Sequence, residues 1–191
     1  GSISGAIHPK KASPPTGKEL AKLLANKFLS PDYSDYPLSS VSELSIDQHN
    51  LFAVQEYIRE YFSVFEPAEF HKLITKFRWA AISTTNYDLI IEKAYDQTND
   101  RLQTLVPILK DGDNFEEKLK SENSLMYLKL HGCITVTNDQ NLQLILTPDQ
   151  YIKHKHGRQR LFSKLAEKGS EYPIIFVGHS LTDLDIRAVL Q

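Results

Sequence analysis

Trp79-Ala80-Ala81-Ile82-Ser83-Thr84-Thr85-Asn86-Tyr87-Asp88 is the stretch whose reading decides the fold. Its first half is short and apolar, as a buried strand is, and its second half is polar and leads into a helix predicted at 88–95. The same pattern returns twice. Met126 to Leu130 reads as a strand ending on His131-Gly132, and Pro173-Ile174-Ile175-Phe176-Val177 as a strand ending on Gly178-His179-Ser180-Leu181-Thr182-Asp183. Leu102 to Ile108 and Leu142 to Leu146 add two further strand-like runs. Between them, Thr147-Pro148-Asp149 starts a helix, residues 158–167 carry Leu161, Phe162 and Leu165 on one helical face, and a last helix begins near Thr182. Strands alternating with helices predict an α/β fold with a mainly parallel sheet.

Upstream of Trp79 the pattern is helical. Residues 1–15 read as a loop. Thr16 and Glu19 fit a capping box at the start of a helix over about 17–29, with Leu20, Leu23, Leu24 and Phe28 at helical spacing. Ser30 to Ser40, with two prolines, reads as a loop. Helices over about 47–63 and 67–77 form a predicted hairpin, so that 30–77 is a helical insertion within one 1–191 domain. Gly1-Ser2 opens with no strand before it and Gln191 falls inside a helical pattern. The expectation is a domain cut at both ends from a longer protein.

Composition narrows the classes. At 191 residues, 41% hydrophobic and 24% charged, the chain suits one globular domain. A net charge of -2 gives no overall basic field for nucleic acid. No apolar run approaches the roughly 20 residues that span a bilayer, and no signal peptide stands at the start. A single cysteine, Cys133, makes neither a disulfide nor a cysteine-rich zinc site, and the expected compartment is the reducing cytoplasm.

In open α/β sheets, ligands bind outside the carboxyl ends of the strands. The three polar stretches after the predicted strands therefore converge on one edge. An asparagine amide both donates and accepts, so Asn86 can orient a sugar hydroxyl or a water. A histidine accepts a proton near neutral pH, which makes His131 the candidate base. Each has a bland alternative: asparagine favours turns, and a lone histidine is commonly structural. Asp88 can act electrostatically or cap the helix that follows it, and Asp183 can bind a ribose hydroxyl or cap the last helix. His154 and His156 would point apart on a helix and read as surface. Cys133 reads as a small core residue.

The same residues carry a resemblance to the sirtuins. Thr84-Thr85-Asn86-Tyr87-Asp88 resembles the sirtuin Thr-Gln-Asn-Ile-Asp motif. Leu130-His131-Gly132 resembles the Leu-His-Gly motif that bears the catalytic histidine. Gly178-His179-Ser180-Leu181-Thr182-Asp183 is similar to the Gly-x-Ser-Leu segment that contacts the dinucleotide, and Ile3-Ser4 to the end of the Gly-Ala-Gly-Ile-Ser phosphate loop. There are departures. Gly1-Ser2 stands where the loop has Ala-Gly. The four zinc cysteines and the Pro-Asp-Phe-Arg segment of deacylating sirtuins are absent. Pro14-Pro15-Thr16-Gly17-Lys18-Glu19-Leu20 is similar instead to the prokaryotic sirtuin-like branch of antiphage NAD hydrolases.

The resemblance implies a Rossmann-like three-layer fold and NAD as substrate, without zinc. It implies Asn86 and His131 as the catalytic pair, with Ser4, Thr84, Thr85, Asp88, Gly178, Ser180 and Asp183 around the dinucleotide. The implied reaction cleaves the nicotinamide–ribose bond to nicotinamide and ADP-ribose in antiphage defence. Flanking domains, and either a homo-oligomer or a partner of the defence system, would supply control. The rival readings are an NAD-dependent protein deacylase and a non-catalytic NAD or ADP-ribose sensor.

Overall fold

The computed structural model describes residues 3–10, 13–139, 142–153, 157–178 and 186–187. Among them, three parallel strands form one open sheet: β1 (Ile82–Thr84), β2 (Thr104–Ile108) and β3 (Ser124–Lys129), in the order β1-β3-β2. Ile82 pairs with Tyr127 and Thr84 with Lys129 on one side of β3, and Thr104 with Ser124 through Ile108 with Leu128 on the other. The α-helices are α1 (Gly17–Phe28), α2 (Leu38–Gln48), α3 (Leu51–Ser63), α4 (Glu69–Lys72), α5 (Ile90–Asp96), α6 (Phe115–Lys118), α7 (Pro148–Lys153) and α8 (Gln159–Glu171).

β3 is central, and its composition shows why. Leu125, Met126, Tyr127 and Leu128 are all buried, so both faces of the strand need cover. On one face Met126 and Leu128 join Ile108, Phe115 and Leu161, from β2, α6 and α8. On the other, Leu125 and Tyr127 pack with Ile91 and Tyr95 of α5, and with Trp79 and Ile74. Helices above and below a parallel sheet make the predicted three layers, an α/β fold of Rossmann-like architecture.

A separate cluster joins the helical part to the sheet's carboxyl end. Leu20, Leu24, Phe28, Val41, Val54 and Ile58 from the helices, with Phe65 just after α3, pack with Ile90, Ile134, Leu144 and Leu146. The helical part therefore sits against the segments that follow β1 and β3. Gln55, buried in α3, fastens this contact: its amide donates to the Thr137 carbonyl and its carbonyl accepts from the Leu144 amide, each at 2.7 Å.

Several boundaries differ from the sequence expectation. The helix expected over 47–63 is α3, which starts at Leu51 because Asn50 caps it by accepting from the Ala53 amide at 2.8 Å; α2 (Leu38–Gln48) is a further helix that begins inside the expected Ser30–Ser40 loop. In place of the expected pairing of 47–63 with 67–77, α2 and α3 are the helices that pack on each other. The expected helix over 67–77 shortens to α4 followed by a 3-10 turn at Leu73–Lys76.

Leu142 to Leu146 is buried but joins no strand. Side chains and loops meet most of its backbone groups instead: Leu144 bonds to Gln55, Leu146 to Gln150, and Ile145 to the His131 carbonyl. Pro173 to Val177 forms no strand either. Its residues are exposed, Ile175 by 68% and Val177 by 69%, with no ladder partner among the described residues. The helix expected near Thr182 lies largely outside the described residues.

Candidate active site

The site is built where β1 and β3 end side by side. Past the last paired residues, the Leu130 amide donates to the Thr84 carbonyl at 2.9 Å. Four residues on, the Ile134 amide donates to the Tyr87 carbonyl at 3.1 Å. These two bonds bracket Asn86 on one loop and His131 on the other. The backbone itself therefore holds the two residues in neighbouring turns.

Each turn has local reasons for its shape. The Thr84 hydroxyl accepts from the Asn86 amide at 3.0 Å, a side-chain-to-backbone turn that folds the chain sharply at the end of β1. Thr85 is half-buried in the bend between them. The Tyr87 hydroxyl donates to the Ile145 carbonyl at 2.6 Å. Asp88 is buried, and its carboxylate accepts from the Ile90 amide at 3.0 Å. That bond ties Asp88 to the first residue of α5, whose N-cap position is Leu89.

Gly132 follows His131 with φ +97°, a conformation only glycine adopts without strain. A Cβ there would lie 3.0 Å from the Gln143 carbonyl, so the residue also permits close backbone approach. Cys133 is buried and receives a bond from the Thr135 hydroxyl at 3.2 Å, in keeping with a core residue.

His131 is itself buried, and α7 is what covers it. The Tyr151 hydroxyl lies 3.3 Å from His131 Nε2, and the two rings meet edge to face with centroids 5.1 Å apart. Thr147 and Gln150 start α7 reciprocally: the Thr147 hydroxyl accepts from the Gln150 amide, and the Gln150 side chain accepts from the Leu146 and Thr147 amides. The start at Thr147-Pro148-Asp149 was legible, but Tyr151 as the neighbour of His131 was not. No sequence pattern ties a tyrosine in one helix to a histidine twenty residues earlier.

Lys129 was missed as well. It is fully buried at the end of β3, and its ammonium donates to the Asp88 carbonyl and, at 2.8 Å, to Glu92 of α5. Burial alone would lower the lysine, but Glu92, together with Cys133 and Asp88, holds the ammonium above its ordinary value. Desolvation in turn raises the Glu92 carboxyl, whose Oε2 has no partner among the described residues. The available signal was a charge inside the apolar run Leu125–Leu130, which a buried strand tolerates only with a partner.

Of the remaining expected residues, Ser4 and Gly178 are among those described. Ser4 is exposed in a turn whose contacts run to the helical part, through the Ile7–Glu66 bridge and the approach of Gly5 to Phe70. Gly178, with φ +62°, ends the exposed 173–177 segment. Ser180, Asp183 and His179 lie outside the described residues, as do His154 and His156. No group of three or more histidine, cysteine or acidic side chains is placed to hold a metal among the described residues. No described helix is long and apolar enough to cross a membrane.

A three-layer α/β domain with polar turns at adjacent strand ends is a small-molecule-binding class of architecture. Within it, the chain belongs to the SIR2-like domain family, whose model matches residues 80–191. The chain is also similar to NAD(+) hydrolase ThsA of Acinetobacter baumannii (strain 532279), with 27% identity over 126 residues, 66% of this chain and 24% of that protein. The chain thus spans about a quarter of the length of the curated relative it matches.

Proposed function

We propose that this chain is an NAD hydrolase domain that cleaves the nicotinamide–ribose bond, giving nicotinamide and ADP-ribose. The observation that carries the reading is the pair of backbone bonds, Leu130 to Thr84 and Ile134 to Tyr87, that bracket Asn86 and His131 at adjacent strand ends. Membership of the SIR2-like family and the similarity to a protein named for NAD hydrolysis support it.

The chemistry asks for little more. Nicotinamide is cationic in NAD and leaves neutral, so its departure needs no proton, unlike the leaving group of an ordinary glycoside. The Asn86 amide orients the ribose or the attacking water, and His131 accepts the proton that the nucleophile loses. Tyr151 keeps the imidazole in one orientation through its Nε2 contact. Ser4, Thr84, Thr85, Asp88, Gly178, Ser180 and Asp183 are the proposed dinucleotide contacts, with the Asp88 carboxylate also holding the Ile90 amide at the start of α5.

The proposed setting follows from the resemblance: one domain of a longer cytoplasmic protein that depletes NAD in antiphage defence, silent until flanking domains, assembly or a partner releases it. Nicotinamide release by the full-length protein, measured beside His131→Ala and Asn86→Ala, tests the reaction. Tight NAD binding with no release, triggered or not, would favour the sensor. NAD-dependent turnover of an acetylated peptide would favour the deacylase.

A further inference from the structure

The turn that carries Asn86 is held from beneath by a charge. Lys129 lies in register with Thr84, one strand over, and its whole side chain is buried. Its ammonium reaches past the end of β1 to the carbonyl of Asp88, two residues beyond Asn86, and to Glu92 one turn into α5. It also stands 5.6 Å over the centroid of the Tyr127 ring. The other end of the turn is fixed by the Thr84 hydroxyl.

Stability alone does not explain a buried ion pair at this point. Desolvating two charges costs several kcal/mol, and an apolar pair of like volume is commonly as stable or more so. An ammonium does what a methyl group cannot: it fixes a carbonyl oxygen at hydrogen-bond distance and direction. Here that carbonyl ends the turn on which the proposed catalytic amide sits. We propose that Lys129 is a positioning residue, a strut held by Glu92 that sets the Thr84–Asp88 turn and with it the aim of Asn86. This rests on the reading of Asn86 as a substrate-contacting residue.

Lys129→Met alone strands Glu92 as a buried unpaired charge and risks unfolding. The decisive variant is therefore Lys129→Met with Glu92→Leu, which removes both charges. In the full-length protein, this double variant is expected to melt within about 3 °C of the parent. Its Asn86 and Tyr87 amides should exchange about tenfold faster, and its kcat for NAD should fall about tenfold with KM nearly unchanged.

A merely structural pair predicts the opposite: once the double variant is as stable as the parent, exchange and kcat both return to the parent values. Unchanged exchange in that variant overturns the strut whatever the activity does. Faster exchange with an unchanged kcat, in a parent that turns NAD over, overturns its role in aiming Asn86. If the parent releases no nicotinamide, the hydrolase reading fails and the exchange measurement alone decides whether Lys129 holds the turn.

Discussion

Met126–Leu130 and Pro173–Val177 are both short apolar runs that lead into a glycine-bearing polar turn. The first is the buried centre of the sheet, with strands paired on both sides and helices over both faces. The second is exposed and joins no strand ladder among the described residues. The second run is the more apolar of the two, since the first contains Lys129, so hydrophobicity alone does not make a strand. β3 has two ladders to satisfy its backbone and two helical layers to cover its side chains. In the segment after α8, Ile174 lies close to Gly169, while Ile175 and Val177 stay on the surface.

The largest expected difference comes from truncating one residue in each run. Leu128→Ala removes a fully buried side chain and should cost about 3 kcal/mol in urea unfolding. A loss under about 1 kcal/mol would mean the centre of the sheet is less packed than described. Gly132→Ala should come next, at about 2 kcal/mol, because the left-handed backbone and the nearby Gln143 carbonyl both resist a Cβ. A neutral result there would show that the His131 turn yields freely, and the contrast with the surface segment would weaken.

How much of this was legible depends on where each backbone bond goes. Helix α1 was readable to within a residue because its signal is local: Thr16 and Glu19 exchange the two capping bonds the pattern predicts. β1 and β3, and the turns that follow them, were readable because an apolar run beside a polar turn is what a central parallel strand requires. Leu142–Leu146 misled because its satisfaction is tertiary, from Gln55 and Gln150, rather than from a neighbouring strand. α2 was missed because Pro31 and Pro37 marked a loop, and its start at Leu38 has no side-chain cap to announce it. Tyr151 and Lys129 reach the site through contacts between distant elements, which a linear pattern does not encode.

A smaller effect concerns pH. Glu56 in α3 is held below its ordinary 4.5 by bonds from Arg59 and from Thr137, which lies beyond the His131 turn. A lowered carboxyl adds stability that is present above 4.5 and is lost as pH falls through the lower folded value. The stability gap between the parent and Glu56→Gln should therefore close in acid below 4.5. A gap independent of pH would mean that the α3 link to this region does not depend on the charge.

The smallest effect is expected in the second run. Ile175→Ala should change the stability of this chain by no more than about 0.5 kcal/mol, since its side chain is already in water. A cost near that of Leu128→Ala would erase the contrast between the two runs and make Pro173–Val177 a buried strand after all.

The central claim is that the paired turns after β1 and β3 form one catalytic site for NAD. Its most direct test is nicotinamide release by the full-length protein, parent beside His131→Ala and Asn86→Ala, with each variant's melting checked. The account predicts that both variants fold like the parent and lose about 100-fold or more of its turnover. Parent-like NAD cleavage by both folded variants would contradict it.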